Sequence, residues 1–116
     1  METGFLPFGL HAAAPDLLAN VPGLARLKKS SPRYIAQAEA AQKIARTFAR
    51  DEMLPRVLAI DAACAKDPTY FDWDLWRRAN RLKLNIAPIP EKMGGLGWSA
   101  LANALLVEEL TSACMG

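Results

Sequence analysis

The stretch IAPIPEKMGGLGWSALANALLVEEL, Ile86–Leu110, decides how the rest of the chain is read. It opens with Pro88 and Pro90, each of which pushes the residue before it out of helical geometry. The spacing predicts an extended, proline-stiffened segment from Leu84 to Pro90 with no helix in it. Gly94, Gly95 and Gly97 follow, giving the backbone conformations that a Cβ resists and room for another backbone or a ligand to come close. Ser99 stands where an N-cap belongs, its side-chain oxygen placed to accept from an open amide of the first turn. From Ser99 to about Cys114 the pattern is helical. Leu101, Leu105, Leu106, Leu110 and Ala113 cover most of that helix's circumference, which predicts burial on several sides. Glu108 and Glu109 interrupt it. Neighbours on a helix point about 100° apart, so the two carboxylates do not form a facing acid–base pair, and at least one is expected to be exposed or salt-bridged. A glycine loop at a helix start can bind an anion, but this one is neither GxxxxGK[ST] nor GxGxxG. The loop alone names no ligand.

Upstream, Ser31-Pro32 predicts a helix start, with Ser at the N-cap and Pro at the first helical position. Ile35, Ala38, Ala41, Ala45 and Phe48 recur at helical spacing, with Ile44 beside Phe48. Glu39, Lys43, Arg46 and Arg50 line the other face, Glu39 four residues before Lys43 in the favoured order for a pair. Pro55 removes a backbone donor and clashes with the preceding turn, so a break or kink is expected near Met53. A short second helix follows with Val57, Ile60 and Cys64 inward. Residues 66–71 read as a turn. Asp72 then caps a third helix, and Phe71 and Trp76 are spaced for a hydrophobic staple. Leu75, Trp76, Ala79 and Leu82 make its buried stripe, while Arg77, Arg78, Asn80, Arg81 and Lys83 face water. Packing, rather than a binding cage, is the expectation for Tyr70, Phe71, Trp73 and Trp76. Cations in the last turns complement the helix dipole.

Residues 1–30 carry Pro7, Pro15 and Pro22 with Gly4, Gly9 and Gly23, punctuation too dense for a long helix. They read as an irregular N-terminal arm packing through Phe5, Phe8, Leu10, Leu17 and Leu18, with His11 an ordinary surface histidine. Residues 31–116 form the folded domain. The fold class is therefore all-α: a small orthogonal bundle of about four helices behind an irregular arm.

Bulk properties narrow the function classes. At 116 residues the chain has room for one core. Although 52% of residues are apolar, no run approaches the roughly 18 needed to span a membrane. A net charge of +2, with bases scattered among acids, gives no case for nucleic acid. Cys64 and Cys114 lack CxxC spacing, and a single histidine leaves no zinc set. Reduced, buried thiols in a cytoplasmic protein are expected. The opening METGF has no basic n-region. Met1 reads as a natural start, and the chain as a truncated product or N-terminal fragment.

Taken together, the Phe-Ala-Arg segment (Phe48 to Arg50), Pro55 with Ile60 and Asp61, the Leu75-Trp76 helix, Ile89-Pro90-Glu91, the Gly94-Gly95-Leu96-Gly97 loop and Glu108-Glu109-Leu110 resemble the N-terminal helical domain of acyl-CoA dehydrogenases. The similarity runs from about Tyr34 to Gly116. It implies a domain that packs on a central β-domain and a C-terminal helical bundle, with FAD and acyl-CoA between them. The family desaturates acyl thioesters at Cα–Cβ: a glutamate removes the α-proton and hydride passes from Cβ to the flavin. By motif match Met93, Gly94, Gly95, Leu96, Gly97 and Ser99 stand near substrate, at the far end of the acyl pocket. The chain departs from the family at Lys83 and Ile86, where glycines are usual, and at Met93, where an aromatic is. It also ends before the segments that carry the flavin site and the catalytic glutamate, so no residue is assigned to catalysis, to FAD or to a metal. The chain alone is expected to be inactive. The partners implied are acyl-CoA, the remaining dehydrogenase domains, and further copies in a homo-oligomer. Two alternatives stay open: a stand-alone helical interaction module or remnant, and a helix-turn-helix nucleic-acid binder. The acidic, Leu/Ala-rich fourth helix argues against the second.

Overall fold

The structure, a computed structural model, describes Leu18 and residues 22–114. Among these residues there is no β-strand, and helices account for the architecture. They are α1 (Leu24–Ser30), α2 (Pro32–Phe48), α3 (Val57–Lys66), α4 (Trp73–Arg81) and α5 (Ala100–Ala113), with α2 and α3 joined into one continuous helical path. Counted as rods, that makes four. The all-α expectation holds.

The sequence stripe on α2 is the floor of the core. Ile35, Ala38, Ala41, Ala45 and Phe48 are all buried, joined by Gln42 and Ala49. Four alanines on one face let the backbone of α5 approach closely, and α5 answers with Ala102, Leu105, Leu106 and Ala113, also buried. Two apolar clusters result. Ala45, Phe48, Leu84, Ala87 and Leu106 form one, with Met53, Leu75, Ala79, Leu96, Trp98 and Leu110 packed against it. Leu18, Ala38 and Leu105 form the other, with Leu24 and Leu101. Burying side chains of Leu or Phe size stabilises by roughly 1.5–3 kcal/mol each.

Several local expectations need correcting. Leu24–Ser30, expected within an irregular arm, is a helix that starts from Gly23 at φ 76°. Leu18 does pack on the core, whereas Phe5, Phe8, Leu10, His11 and Leu17 lie outside the described residues. Ser31 sits at the start of α2, but its side chain makes no cap bond, and its carbonyl accepts from Tyr34 and Ile35 instead. Glu39 reaches Lys28 of α1 at 3.7 Å, an ion pair the i,i+4 reading toward Lys43 did not anticipate.

Pro55 does not end the helix. Ahead of it the ladder widens into a π turn, Ala49–Met53, in which the Leu54 amide bonds to the Ala49 carbonyl. A 3₁₀ turn, Leu54–Arg56, then carries the chain into α3. Widening the turn by one residue relieves the contact between the proline ring and the carbonyl four positions back. α3 is apolar in sequence yet has no buried residue. Val57 and Ile60 are half-buried, Leu58 is 79% exposed, and Cys64, expected inward, is exposed.

Asp72 caps α4 as expected, accepting from the Leu75 amide at 3.0 Å. The ring that meets Phe71 is Trp73, edge-on with centroids 4.7 Å apart, and Trp73 meets Trp76 in turn at 6.0 Å. These aromatics are not core. Tyr70, Phe71, Trp73 and Trp76 are 39–58% exposed, and Leu82 is 47% exposed. Of the predicted stripe only Leu75 and Ala79 reach the core. Both occupy the inner side of the helix, whereas Trp76, the residue after Leu75, stands about 100° around it.

The proline segment is also not extended. Leu84–Ile86 is a 3₁₀ turn, and Ala87, directly before Pro88, has helical φ/ψ of −54°/−41°. Ala87 is fully buried, and its carbonyl accepts from the Trp98 amide at 2.9 Å. Tertiary packing there outweighs the local preference of a residue before proline.

Candidate functional site

The glycine loop is shaped by its own backbone. The Gly95 amide donates to Pro90 O at 3.2 Å, Gly97 to Ile89 O at 2.8 Å, and Trp98 to Ala87 O at 2.9 Å. Gly94 and Gly97 take φ of 97° and 64°, where a side chain is strained. Gly95 is glycine for a different reason: a Cβ there would lie 2.6 Å from both the Ile86 carbonyl and Ile89 Cβ, and closer still to the Ile89 carbonyl. A short 3₁₀ turn, Glu91–Met93, leads into the loop. Ser99 closes it by capping α5, its Oγ accepting from the Ala102 amide at 3.2 Å.

These constraints separate the six predicted substrate residues. Met93 is 70% exposed and Gly94 exposed, whereas Gly95 is buried and Leu96 packs on the core. Gly97 and Ser99 border a shallow concavity of about 590 Å³, together with residues of the α1–α2 junction such as Arg33, Tyr34 and Gln37. Met93 is not part of it. Gln37, unremarked in the sequence, donates nothing to the loop but accepts from it: the Ser99 amide lies 2.8 Å from Gln37 Oε1. Its position between Ile35 and Ala38, at the margin of the buried stripe, is the one sequence signal for that role.

The paired glutamates resolve as their helical spacing predicts. Glu109 is buried and held by Arg46 of α2, with Nε 3.2 Å from each carboxylate oxygen and Nη2 2.6 Å from Oε1. That carboxylate is a structural anchor between helices. A second ionic group joins the π/3₁₀ junction to the start of α4. Arg56 meets Asp72 at 3.2 Å and Asp74 at 2.8 Å, and Arg78 meets Asp74 at 2.9 Å and Glu52 at 3.0 Å. Hydrogen bonds from Arg56 and then Arg78 pull the Asp74 carboxyl down to about 2. Alongside it, Phe48, Met53, Ile60, Leu75 and Trp76 line an apolar groove of about 350 Å³. Both cysteines are free, Cys64 exposed and Cys114 half-buried, so the expectation of buried thiols fails for Cys64. Among the described residues no His/Cys/Asp/Glu group is arranged to hold a metal, and no helix is long and apolar enough to cross a membrane.

Residues 36–116, more than half the chain, match the acyl-CoA dehydrogenase N-terminal domain. The chain belongs to the acyl-CoA dehydrogenase family. Among curated proteins it is similar to a probable medium-chain specific acyl-CoA dehydrogenase 2, mitochondrial, from Caenorhabditis briggsae, with 33% identity over 75 residues. That match takes in 65% of this chain and 17% of the relative, so the chain spans about a sixth of the curated protein it matches. No solved structure matches it.

Family membership implies FAD in full-length dehydrogenases. The loop amides of Gly95 and Gly97 are already bonded to backbone carbonyls, as is the Ser99 amide to Gln37, so none of them is open to a cofactor phosphate. Among the described residues no flavin contact is assignable. The departure at Lys83 has a visible result. Lys83 occupies the left-handed region at φ 59° anyway, so α4 stops where a family glycine would stop it, with the strain of a side chain added. Ile86 turns its carbonyl toward Gly95 and accepts from the Ile89 amide at 3.0 Å.

Proposed function

We propose that this chain is the N-terminal helical domain of an FAD-dependent acyl-CoA dehydrogenase and serves to wall the acyl pocket. The observation that carries the reading is the glycine loop: a segment inside the family match whose backbone is locked by its own hydrogen bonds while Met93, Gly94 and Gly97 stay exposed. A wall that shapes an acyl chain and excludes water needs that combination of rigidity and free surface. The complete parent is proposed to desaturate acyl-CoA thioesters at Cα–Cβ, with FAD supplying the redox chemistry from domains other than this one. By itself the chain binds no flavin and turns over nothing. Its partners in this reading are acyl-CoA, the remaining dehydrogenase domains (in the same polypeptide or separately encoded), and further copies in a homo-oligomer. A cytoplasmic location belongs to the proposal, supported by two free cysteines. Cell fractionation decides between that and the mitochondrial location in the relative's name.

Intact mass and flavin absorbance of the protein from its source test the reading. A mass several-fold above 12.7 kDa with bound FAD, bleached by an acyl-CoA, supports it. A flavin-free species at 12.7 kDa moves the weight to a second reading, a stand-alone interaction module. That alternative is favoured by the exposed rings of Phe71, Trp73 and Trp76. Flavin reduction by acyl-CoA with the short chain alone would contradict both.

A further inference from the structure

The backbone bonds inside residues 87–98 give the glycine loop its shape, but they do not set where it stands relative to α2. Among the described residues, the hydrogen bond that crosses from this segment to α2 runs from the Ser99 amide to Gln37 Oε1, between residues 62 apart in sequence. Its place in the helix is telling. Ser99 is the N-cap of α5, and its side chain caps the amide of Ala102, the third helical residue. In a capping box a Glu or Gln at that third position reaches back to the amide of the N-cap residue. Here the third position is alanine and has nothing to offer. Gln37, brought in from another helix, supplies the missing half. Half-buried between the buried Ile35 and Ala38, it is shielded enough that water does not replace it without loss.

We propose that Gln37 is the positioning residue of the glycine loop: its side-chain carbonyl completes the cap of α5 from outside the helix and fixes where Leu96–Ser99 stand. In the dehydrogenase reading, on which this last step rests, that position sets the depth of the acyl pocket and hence the chain length accepted. Gln37 touches no substrate in this account; it acts through the loop.

The test compares Gln37→Leu, Gln37→Asn and Gln37→Glu in the full chain by amide NMR and hydrogen exchange. Leu keeps the bulk and loses the acceptor, Asn keeps the chemistry but falls a methylene short, and Glu keeps both reach and acceptor. The expected result is a moved Ser99 resonance and about tenfold faster exchange at Ser99 in the Leu and Asn variants. The Glu variant should restore it to within about twofold, and amides around Glu109 should not change in any of the three. An unchanged Ser99 in the Leu variant, or exchange raised equally along α5, overturns the proposal. A flavoprotein carrying this domain gives the second arm. Gln37→Leu should alter the ratio of KM values for long and short acyl-CoAs while flavin content stays constant, and an unaltered ratio overturns the pocket-depth step. If wild-type flavoprotein accepts no acyl-CoA, the functional reading falls, and the Ser99 amide still decides the role of Gln37.

Discussion

The α2–α5 seam and the α3–α4 face are both apolar in sequence, yet they have opposite fates. In the seam, Ala38, Ala41 and Ala45 of α2 and Leu105 and Leu106 of α5 are buried, and Arg46–Glu109 adds an ion pair whose carboxylate is almost fully enclosed. Across the molecule, α3 buries nothing fully and Phe71, Trp73 and Trp76 stay exposed, while ion pairs of Arg56 with Asp72 and Asp74 hold α4 to the junction before α3. Small side chains let two helices meet directly, whereas large rings need a partner with a hollow to receive them. Apolar content therefore fails to distinguish a core from an interface; side-chain size relative to the available neighbour does better. Exposed rings of this extent are the surface that the proposed partner domains would cover.

This contrast can be broken from the seam side first. Gly95→Ala drives a Cβ into the Ile89 and Ile86 carbonyls beneath the loop. The backbone has to move, and a loss of about 3 kcal/mol is expected in urea unfolding. Arg46→Met leaves the Glu109 carboxylate buried without its fork. Because Arg46 is itself 45% exposed, the cost should be about 2 kcal/mol rather than the upper range for buried pairs, and pairing it with Glu109→Leu should recover most of that. Between the two regions, Lys83→Gly removes left-handed strain at the end of α4 and should gain about 0.5–1 kcal/mol.

The α3–α4 face should respond to acid and salt through Asp74. With its folded carboxyl lowered to about 2, Asp74 contributes stability that is complete above its ordinary value near 3.8 and is lost as pH falls toward 2. Asp74 is exposed, so 1 M salt should flatten this dependence. Asp74→Asn should remove that part of an acid titration followed by circular dichroism. Smallest of all, Trp73→Ser in the chain alone should shift stability by less than about 0.5 kcal/mol. Once the partner domains are present, the same change should weaken assembly.

How much of this was legible depends on whether the deciding interaction is local. The Asp72 and Ser99 caps and the buried stripe of α2 follow from spacing alone, because caps act within three or four residues and a helical face repeats by geometry. The glycine loop was legible as a loop, but not which glycine is there for its torsion and which for clearance; Gly95 answers to Ile89 and Ile86, and that packing needs coordinates. The paired glutamates could be denied a shared role, while the burial of Glu109 required knowing that Arg46 lies opposite. The aromatics around α4 were misjudged because large rings usually find a core, and the sequence says nothing about a partner's surface. Ala87 in helical geometry before Pro88 shows tertiary contact prevailing over a dipeptide preference. Gln37 escaped notice because its partner lies across the fold.

The bond from Leu54 back to Ala49 spans five residues where a regular helix spans four. Each helical residue advances the chain by about 100° of rotation, so this one extra residue acts as a phase setting for everything that follows. The same residues wound as an unbroken α-helix would bring α3 out of the junction rotated by about 100°. Ile60 would turn away from the groove, and Arg56 would lose its line to Asp72 and Asp74. Any comparison or graft of this domain must therefore count residues through the π turn, since a single misplaced gap there would exchange the inner and outer sides of a whole helix.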